Sequence, residues 1–381
     1  MNPRAQVVKS VVDARQMQEE SRVEKRLAEL VAFDTRNPDG NERPMADQLA
    51  RDLAELGARS VEVFESEGHS SAFARFGSEP SELLLNAHLD TVPANAGYTS
   101  DPLVLVRRNR RLHGLGSADT KGSIAAILEA LALRKAAGKV PDKLAVLFSG
   151  DEELGGVSIR EFLASDRIRG VVRAIVCEPT GCRVGTRHRG VYAARISARA
   201  PGGHSSLADT IPNPLAALAH AAVALDELGA RSKDLGPPGL QGICMNIAAL
   251  DGGMAFNIIP AQATLTFSIR PSPGVGVEPL VAEARARVEQ ATQPLPTEWQ
   301  AFASNPALAT RDVAGFAPLL GEAARHPVDL PFGTEAGQFV ERGVDAVVLG
   351  PGRIEQAHKA DEFVALDELM QAVRIFERVM T

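Results

Sequence analysis

The sequence has 381 residues, which at roughly 100 to 200 residues per domain is enough for two domains and a sizeable hydrophobic core. Hydrophobic residues make up 45% and charged residues 23% of the chain, as in folded globular proteins and unlike disordered chains. The net charge is −7 and aromatic residues make up only 4%, so the basic surface and stacking side chains of nucleic-acid-binding proteins are not indicated. These values exclude neither an enzyme nor a small-molecule binding protein.

Cysteine usage and the N-terminal sequence bear on the compartment. Cys177, Cys182 and Cys244 are odd in number and lack a repeated paired spacing, so neither a disulfide framework nor a thiolate zinc site is predicted. The first 20 residues contain no apolar run, and no later stretch is long enough to span a bilayer. We therefore expect a cytoplasmic protein that has no leader and does not bind membranes.

Apolar periodicity predicts an α/β fold for the first part of the chain. Two amphipathic helices are predicted near residues 23–31 and 45–56. Strand-like and helical segments then alternate, with strands at 83–89, 144–148 and 171–177 and a helix at 122–137. Such alternation indicates a mostly parallel sheet with helices on both faces.

The pattern changes in the middle of the chain, over residues 184–293. Period-two segments at 191–200, 243–250 and 263–270 accompany predicted helices near 214–228 and 278–290. They predict an inserted α+β domain of ferredoxin-like type with antiparallel strands. The Pro-rich segment 294–299 is interpreted as the return linker, after which a strand at 346–350 and a terminal helix at 366–376 resume the first pattern. Residues 1–183 and 294–381 would then form one discontinuous catalytic domain.

Acids and histidines recur where the predicted strands end, which is where open α/β sheets place their working residues. They are His88, Asp90, Asp119, Asp151, Glu152, Glu153, Glu178 and His358. Imidazole and carboxylate without thiolate form the ligand set of catalytic zinc, cobalt or manganese. Two histidines with three acids exceed the protein ligands of one catalytic zinc, so the number favours two ions that share a bridging carboxylate.

Simpler interpretations exist for each of these residues. A run such as Asp151 to Glu153 is usually a solvated turn, although here it directly follows an apolar strand. Isolated histidines are more often structural than metal ligands, and we interpret four in this way: His69, His113, His220 and His326. His88 differs because Asp90 lies two residues on, on the same face of a strand, where its carboxylate can orient the imidazole.

Six segments occur in the order of a known family: NAHLDTVP (86–93), GLGSADTKG (114–122), SGDEE (149–153), CEPT (177–180), GGHSS (202–206) and GPGRIEQAHKADEF (350–363). Over nearly its whole length the sequence resembles the binuclear-zinc metallopeptidases and deacylases that include acetylornithine deacetylase, succinyl-diaminopimelate desuccinylase, aminoacylase and glutamate carboxypeptidase. The GTEA and GPGRIEQAH segments look most like the acetylornithine and acetylcitrulline deacetylases.

The resemblance implies two divalent ions, Zn²⁺ or Co²⁺, bridged by Asp119. Glu153 and His358 would complete one metal site, and His88 and Glu178 the other. Every predicted metal ligand is present, so nothing indicates an inactive homologue.

The resemblance also implies the remaining roles. Glu152 matches the general base that activates a metal-bridging hydroxide for attack on the amide. Residues 184–293 would form the dimerisation domain of a homodimer, in which His204 reaches the partner's active site and stabilises the oxyanion. Substrate contacts are implied for Arg189, Asn257, Arg270 and the segment Gly333, Thr334 and Glu335. An exposed strand arginine without such a role is the alternative for Arg270.

The implied activity is removal of the acetyl group from an N-acetyl-L-amino acid, first of all N-acetyl-L-ornithine in arginine biosynthesis. N-acetyl-L-citrulline deacetylase, desuccinylase and dipeptidase or carboxypeptidase activities stay open as alternatives. A serine-nucleophile hydrolase is not favoured, because no G-x-S-x-G motif is present. GLGSAD lacks the third glycine of a dinucleotide-binding fingerprint, and the intact Glu152 disfavours a non-catalytic binding module.

Overall fold

The computed structural model describes the backbone of residues 3–380 and the side chains of residues 16–380. The helices in this part of the chain are α1 (Pro3–Val31), α2 (Arg43–Glu55), α3 (Lys121–Ala136), α4 (Val157–Ala164), α5 (Pro214–Arg231), α6 (Val277–Thr292), α7 (Val313–Leu320), α8 (Ala336–Glu341) and α9 (Leu366–Val379). The predictions for the first 20 residues fall partly outside the described side chains. Among the helices described, none has the length and apolar character needed to cross a bilayer.

The strands in the same part of the chain are β1 (Ser60–Ser66), β2 (His69–Phe76), β3 (Leu83–His88), β4 (Val106–Arg108), β5 (Arg111–His113), β6 (Leu144–Ser149), β7 (Arg173–Val176), β8 (Gly185–His188), β9 (Val191–Arg199), β10 (Gly203–His204), β11 (Asn246–Gly252), β12 (Ile258–Ile259), β13 (Gln262–Ile269), β14 (Thr297–Asn305), β15 (Leu308–Ala309), β16 (Val328–Leu330), β17 (Asp345–Val348) and β18 (Phe363–Ala365).

The chain divides into two compact units. The first unit contains the residues up to Thr186, the segment Thr310–Val328 and the residues from Thr334 onward. The second unit contains Arg187–Ala309 and Asp329–Gly333.

The central sheet of the first unit has the strand order β1-β2-β6-β3-β7-β17. Strands β6, β3, β7 and β17 are parallel, and Leu85 of β3 lies in register between Val146 and Ile175. Alternate strand residues face opposite sides: Val146 packs in the core formed with α1, α2, α3 and α9, whereas Phe73 meets Phe162 of α4 at 5.1 Å between ring centroids. The predicted mostly parallel sheet with helices on both faces is confirmed.

Helix α3 shows why the sequence packs this way. Its residues from Lys121 to Leu131 are all buried, because the helix contacts the sheet, α1 and α9. Glu129 is the acidic residue of this buried stretch, and Arg22 and Arg26 of α1 bind its carboxylate at 2.7 and 3.2 Å. The two guanidinium groups provide the charge partner that a buried carboxylate requires.

The carboxyl ends of the parallel strands lie at one edge of the sheet. His88 is the last residue of β3 and lies in register with Ser149, the last residue of β6. Glu178 follows β7 by two residues, and Gly350 follows β17 by two. A Cβ atom on Gly350 would come within 2.7 Å of the Glu178 carbonyl oxygen, so the close approach of these segments requires glycine.

The second unit contains an antiparallel sheet with the order β11-β13-β9-β14. Helices α5 and α6 pack on it, and Leu218, Leu225, Phe267 and Val288 are among the side chains of its own hydrophobic core. A two-stranded ribbon pairs His204 of β10 with Ile258 of β12. The predicted period-two strands and the two helices are therefore present.

The interpretation of residues 294–299 as a return linker is wrong. Strand β14 begins at Thr297 and pairs with β9, with Trp299 opposite Ile196 and its ring 5.5 Å from Phe267 between centroids. Pro294 and Pro296 precede this strand, where no ladder hydrogen bond from their nitrogens is needed, so these prolines do not prevent strand pairing. The second unit consequently continues to Ala309 rather than ending at 293.

Candidate active site

The five predicted metal ligands lie together in the first unit. His88 Nε2 is 3.0 Å from Asp119 Oδ1 and 3.9 Å from Glu178 Oε1. His358 Nε2 is 2.8 Å from Glu153 Oε1 and 3.4 Å from Asp119 Oδ2. The two oxygens of Asp119 thus face different histidines, which is the arrangement of a bridging carboxylate.

These groups could hold a metal ion. His88, Asp119 and Glu153 each offer one ligand atom, and the three atoms lie within 4.8 Å of one another. His88, Asp119 and Glu178 are 2%, 7% and 6% exposed, whereas the side chain of His358 is 48% exposed. Carboxylate and imidazole atoms in a mostly buried cluster suit divalent zinc or cobalt.

The charges of the cluster strongly perturb its pKa values. Burial raises the pKa of Glu178 well above its usual value, and the nearby Asp119 and Glu152 add to the rise while His88 opposes it. Burial also raises the pKa of Glu153, against its contact with His358. Contacts with Asp119 and Glu153 raise the pKa of His358 to about 10.

These shifts fit a site for cations. Burial and the neighbouring carboxyl groups favour the protonated forms of Glu178 and Glu153, and the carboxylates around them favour protonated His88 and His358. Metal ligands must be deprotonated, so a divalent ion would displace these protons and supply the positive charge they provide. The residues present therefore fit a metal centre.

Asp90 contacts both this cluster and the acidic segment Asp151, Glu152 and Glu153, called the DEE run below. Its carboxylate accepts hydrogen bonds from the backbone N–H groups of Glu152 and Glu153, both at 3.1 Å, and from Asn37 Nδ2 at 2.7 Å. His88 Nδ1 lies 2.9 Å from the backbone carbonyl oxygen of Asp90 and 3.4 Å from its carboxylate. The imidazole is therefore oriented by the backbone of Asp90 as well as by its side chain.

The three acids of the DEE run face different surroundings. Asp151 accepts hydrogen bonds from the backbone N–H groups of Val157 and Ser158 at the start of α4. Burial raises the pKa of Glu152 well above its usual value; His88 opposes this, and Glu153 adds to it. Glu152 is thus a carboxyl group beside the predicted metal ligands whose surroundings favour its protonated form.

Two buried acids and one asparagine at the site carried no predicted catalytic role. The Glu335 carboxyl is 2% exposed, accepts a hydrogen bond from Ser149 Oγ at 2.8 Å, and has its pKa raised to about 7 by burial. Glu362 accepts three backbone hydrogen bonds from the loop that carries Asp119. Asn37 precedes a proline, and no sequence pattern predicts its hydrogen bond to Asp90.

His204 and Asn257 lie in the second unit, on its two-stranded ribbon and the adjoining loop. The backbone carbonyl oxygen of Asn257 accepts a hydrogen bond from Ser205 N at 3.0 Å, which ties the two segments together. His204 is exposed, and its Nδ1 accepts from Ser206 N at 3.2 Å. A neutral His204 ring therefore carries its proton on Nε2, from which it can donate.

The other predicted substrate residues occupy varied positions. Arg189 donates to backbone carbonyl oxygens of Gln241, Gly242 and Arg270 in the second unit. Arg270 is exposed at the end of β13, and Gly333 belongs to the same unit. Thr334 is buried in the first unit, where its hydroxyl accepts from Ala336 N at 3.1 Å at the start of α8.

Comparison with known sequences gives consistent matches. A family model described as peptidase family M20/M25/M40 matches residues 84–381. The chain is 35% identical to an N-acetyl-L-citrulline deacetylase of Xanthomonas campestris, over 93% of this chain and 96% of that one. It is 31% identical to an acetylornithine deacetylase of Photorhabdus laumondii, over 90% of this chain and 91% of that one.

Solved structures share the fold. An M20 family metallo-carboxypeptidase from Sulfolobus solfataricus has a TM-score of 0.76 at 18% identity, covering 93% of this chain and 97% of that one. A dinuclear metal binding peptidase from Bacillus subtilis has a TM-score of 0.67 at 16% identity, covering 96% of this chain and 98% of that one.

We expect the purified protein, after chelation and dialysis, to bind two divalent ions per chain in isothermal titration calorimetry with Co²⁺ or Zn²⁺. Removing a residue that hydrogen-bonds a metal ligand typically weakens metal binding roughly 10- to 100-fold. Glu153→Ala removes a predicted ligand itself and should weaken binding at least as much. Glu322→Ala, which removes an 82% exposed acid of the first unit, should bind both ions normally. Fewer than one ion per wild-type chain would contradict the metal centre.

Proposed function

Because the chain belongs to peptidase family M20/M25/M40 and is a metal-dependent hydrolase of amide bonds, we propose that it removes the acetyl group from N-acetyl-L-amino acids, with N-acetyl-L-ornithine as its substrate. The observation that carries the proposal is the position of Asp119, whose two carboxylate oxygens face His88 at 3.0 Å and His358 at 3.4 Å. The choice of acetyl as the group removed is supported by the relatives that are named as deacetylases of acetylated amino acids.

Two divalent ions, Zn²⁺ or Co²⁺, would be held by this cluster. Asp119 would contact both, with His88 and Glu178 at one ion and Glu153 and His358 at the other, as the distances among these side chains support. Bound divalent ions activate a water molecule as the nucleophile and polarise the amide carbonyl.

Glu152 acts as the general base. Its raised pKa allows the carboxylate to take a proton from the attacking water and to hold it until the C–N bond breaks. The proton then passes to the amine nitrogen, so that acetate and the free amino acid leave. Asp90 supports this role because it holds the backbone nitrogen of Glu152 at 3.1 Å.

The second unit would form a homodimer and contribute His204 to the partner's site. Met254 and Phe256 are 91% and 99% exposed in this unit, and β11 is an outer strand of its sheet, features that suit association with another copy. His204, with its proton on Nε2, would donate to the carbonyl oxygen as negative charge develops there.

Arg270 would bind the α-carboxylate of the substrate through paired charge-assisted hydrogen bonds, which suits an exposed guanidinium. Asn257, Arg189, Gly333 and Thr334 are proposed as further substrate contacts.

N-acetyl-L-citrulline is a second candidate substrate, favoured by the 35% identity to the Xanthomonas campestris enzyme. The two substrates differ at the far end of the side chain, which is a cation in ornithine and a neutral ureido group in citrulline. Glu335 is buried against Ser149 and its pKa is raised to about 7, so it provides only part of a negative charge near neutral pH. The net charge of −7 attracts a cationic substrate only weakly.

We place the reaction in the cytoplasm, in arginine biosynthesis. The thiols of Cys177 and Cys182 are buried and unpaired, which fits a reducing compartment.

We expect Glu152→Ala to keep the fold and both metal ions but to lose about 10²- to 10⁴-fold in kcat, because it removes the proton-transfer group and no predicted ligand. Metal content by mass spectrometry and kcat on N-acetyl-L-ornithine check this. Glu153→Ala serves as the neighbouring comparison and should lose metal instead. Loss of metal in Glu152→Ala with retention in Glu153→Ala would reverse the assignment.

Mixing inactive His204→Ala chains with inactive Glu152→Ala chains should restore part of the activity. If His204 acts across a dimer, one of the two sites in each mixed dimer keeps both groups. Activity of the mixture after subunit exchange is compared with that of each variant alone, and the oligomeric state is measured by light scattering. A fully active monomer would contradict the shared site.

The substrate is tested by measuring kcat/KM for N-acetyl-L-ornithine and N-acetyl-L-citrulline, with N-succinyl-diaminopimelate and a dipeptide as controls. We expect the highest value for N-acetyl-L-ornithine. A clear preference for the citrulline compound would transfer the assignment to the second candidate. A preference for either control would overturn the deacetylase proposal while leaving the hydrolase chemistry intact.

A further inference from the structure

We propose that Glu362 is a positioning residue of the metal centre: its buried carboxylate holds the backbone of the loop Gly114–Asp119 and thereby fixes Asp119 between the two histidines. This inference rests on the proposed role of Asp119 as the bridging ligand. Glu362 lies four positions after His358. Its carboxylate accepts hydrogen bonds from backbone N–H groups, and it is not one of the predicted metal ligands.

The contacts of Glu362 converge on one loop. Its Oε1 accepts hydrogen bonds from the backbone N–H groups of Ala118 at 2.8 Å and Asp119 at 3.1 Å, and its Oε2 accepts from Gly116 N at 3.0 Å. Its own backbone carbonyl oxygen accepts from Gly114 N at 3.0 Å. Glu362 is 2% exposed, so water competes little for these bonds.

The loop needs such an acceptor because its nitrogens precede α3. The first N–H groups of a helix and of the turn before it have no carbonyl partner within the helix, and leaving them buried and unpaired costs about 1 to 3 kcal/mol each. A carboxylate surrounded by several backbone N–H groups resembles the anion-binding nests of phosphate sites. Here the acceptor is the side chain of Glu362 itself.

Packing restricts the loop on its other side. Gly116 has φ +75°, and a Cβ atom there would lie 2.8 Å from Thr91 Cγ2 and 3.1 Å from Lys121 Cδ. Thr91 directly follows Asp90, so the loop is packed against the end of the segment that carries His88. The carboxylate of Glu362 and this contact together leave the loop little freedom.

The position of the loop determines the position of the ligand. Asp119 donates its backbone N–H to Glu362 and presents its carboxylate to His88 and His358 at 3.0 and 3.4 Å. Only the Cα and Cβ atoms separate the held nitrogen from the carboxylate carbon. Loss of an outer partner of a metal ligand typically weakens metal binding 10- to 100-fold, and we expect a change of this size.

The residues that precede Glu362 in the chain hold a second loop. The adjacent Asp361 accepts hydrogen bonds from Thr99 N at 2.9 Å and Thr99 Oγ1 at 2.8 Å, and Asn95 Nδ2 donates to the backbone carbonyl oxygen of His358. The segment from His358 to Glu362 therefore holds the loop that follows β3 as well as the loop that carries Asp119.

The test uses Glu362→Gln and Glu362→Ala in the full-length chain. The amide oxygen of Gln can still accept two of the three N–H groups, but its NH₂ group would oppose the third. We therefore expect Co²⁺ binding, measured by calorimetry, to weaken in the order wild type, Glu362→Gln, Glu362→Ala, reaching about 10- to 100-fold for the last. The visible absorption spectrum of bound Co²⁺, which reports ligand geometry, should change in the same order.

Asp345→Asn provides the matched control. The Asp345 carboxylate also accepts three backbone N–H groups, from Arg311 at 2.9 Å, Asp312 at 2.7 Å and Ala346 at 3.2 Å, but it lies at the start of β17, at the opposite edge of the sheet. This variant should lower the melting temperature without changing Co²⁺ affinity or the Co²⁺ spectrum.

The outcomes separate this inference from the proposed function. Wild-type affinity and spectrum in folded Glu362→Gln and Glu362→Ala would overturn the positioning role and leave the metal centre intact. Equal weakening in Asp345→Asn would also overturn it, because general destabilisation would then explain the effect. If Glu362→Ala does not fold, Glu362→Gln decides. Binding of fewer than one ion per wild-type chain would refute the metal centre itself, and this inference with it.

Discussion

Negative charge buried at the carboxyl edge of the parallel sheet is the constraint on which the rest of this structure depends. Asp119, Glu178 and the half-buried Glu153 lie within contact distance of two histidines, and each ionised carboxyl group removed from water costs several kcal/mol unless a positive charge compensates it. Lys121, the buried lysine beside this edge, donates to a backbone carbonyl oxygen, and burial lowers its pKa to about 7. The acids and histidines at this edge therefore fit a metal ion, which would supply the missing positive charge.

Three further buried carboxyl groups around the predicted metal ligands accept hydrogen bonds from backbone N–H groups. Asp90 holds the nitrogens of Glu152 and Glu153, Asp151 holds the first turn of α4, and Glu362 holds the loop before α3. Each places an acceptor where a turn leaves N–H groups without carbonyl partners. Loops of irregular shape thereby keep fixed positions beside a rigid sheet.

The place of the site could be predicted from the sequence because parallel strands bring their ends to one edge, so that acids and histidines following separate strands had to meet. The supporting contacts could not. Glu362 and Gly116 are separated by 246 positions, and Asn37 and Asp90 by 53, so neither pair leaves a local pattern. The start of strand β14 was missed because the two prolines before it resemble a linker, whereas its pairing with β9 is a long-range contact that leaves no local signal.

The unequal exposure of the two histidines has a consequence for metal supply. His88 is 2% exposed, whereas the side chain of His358 is 48% exposed and reaches solvent directly. An ion held by His358 would lie close to solvent and be open to exchange with free metal, whereas an ion held by His88 would be enclosed by protein.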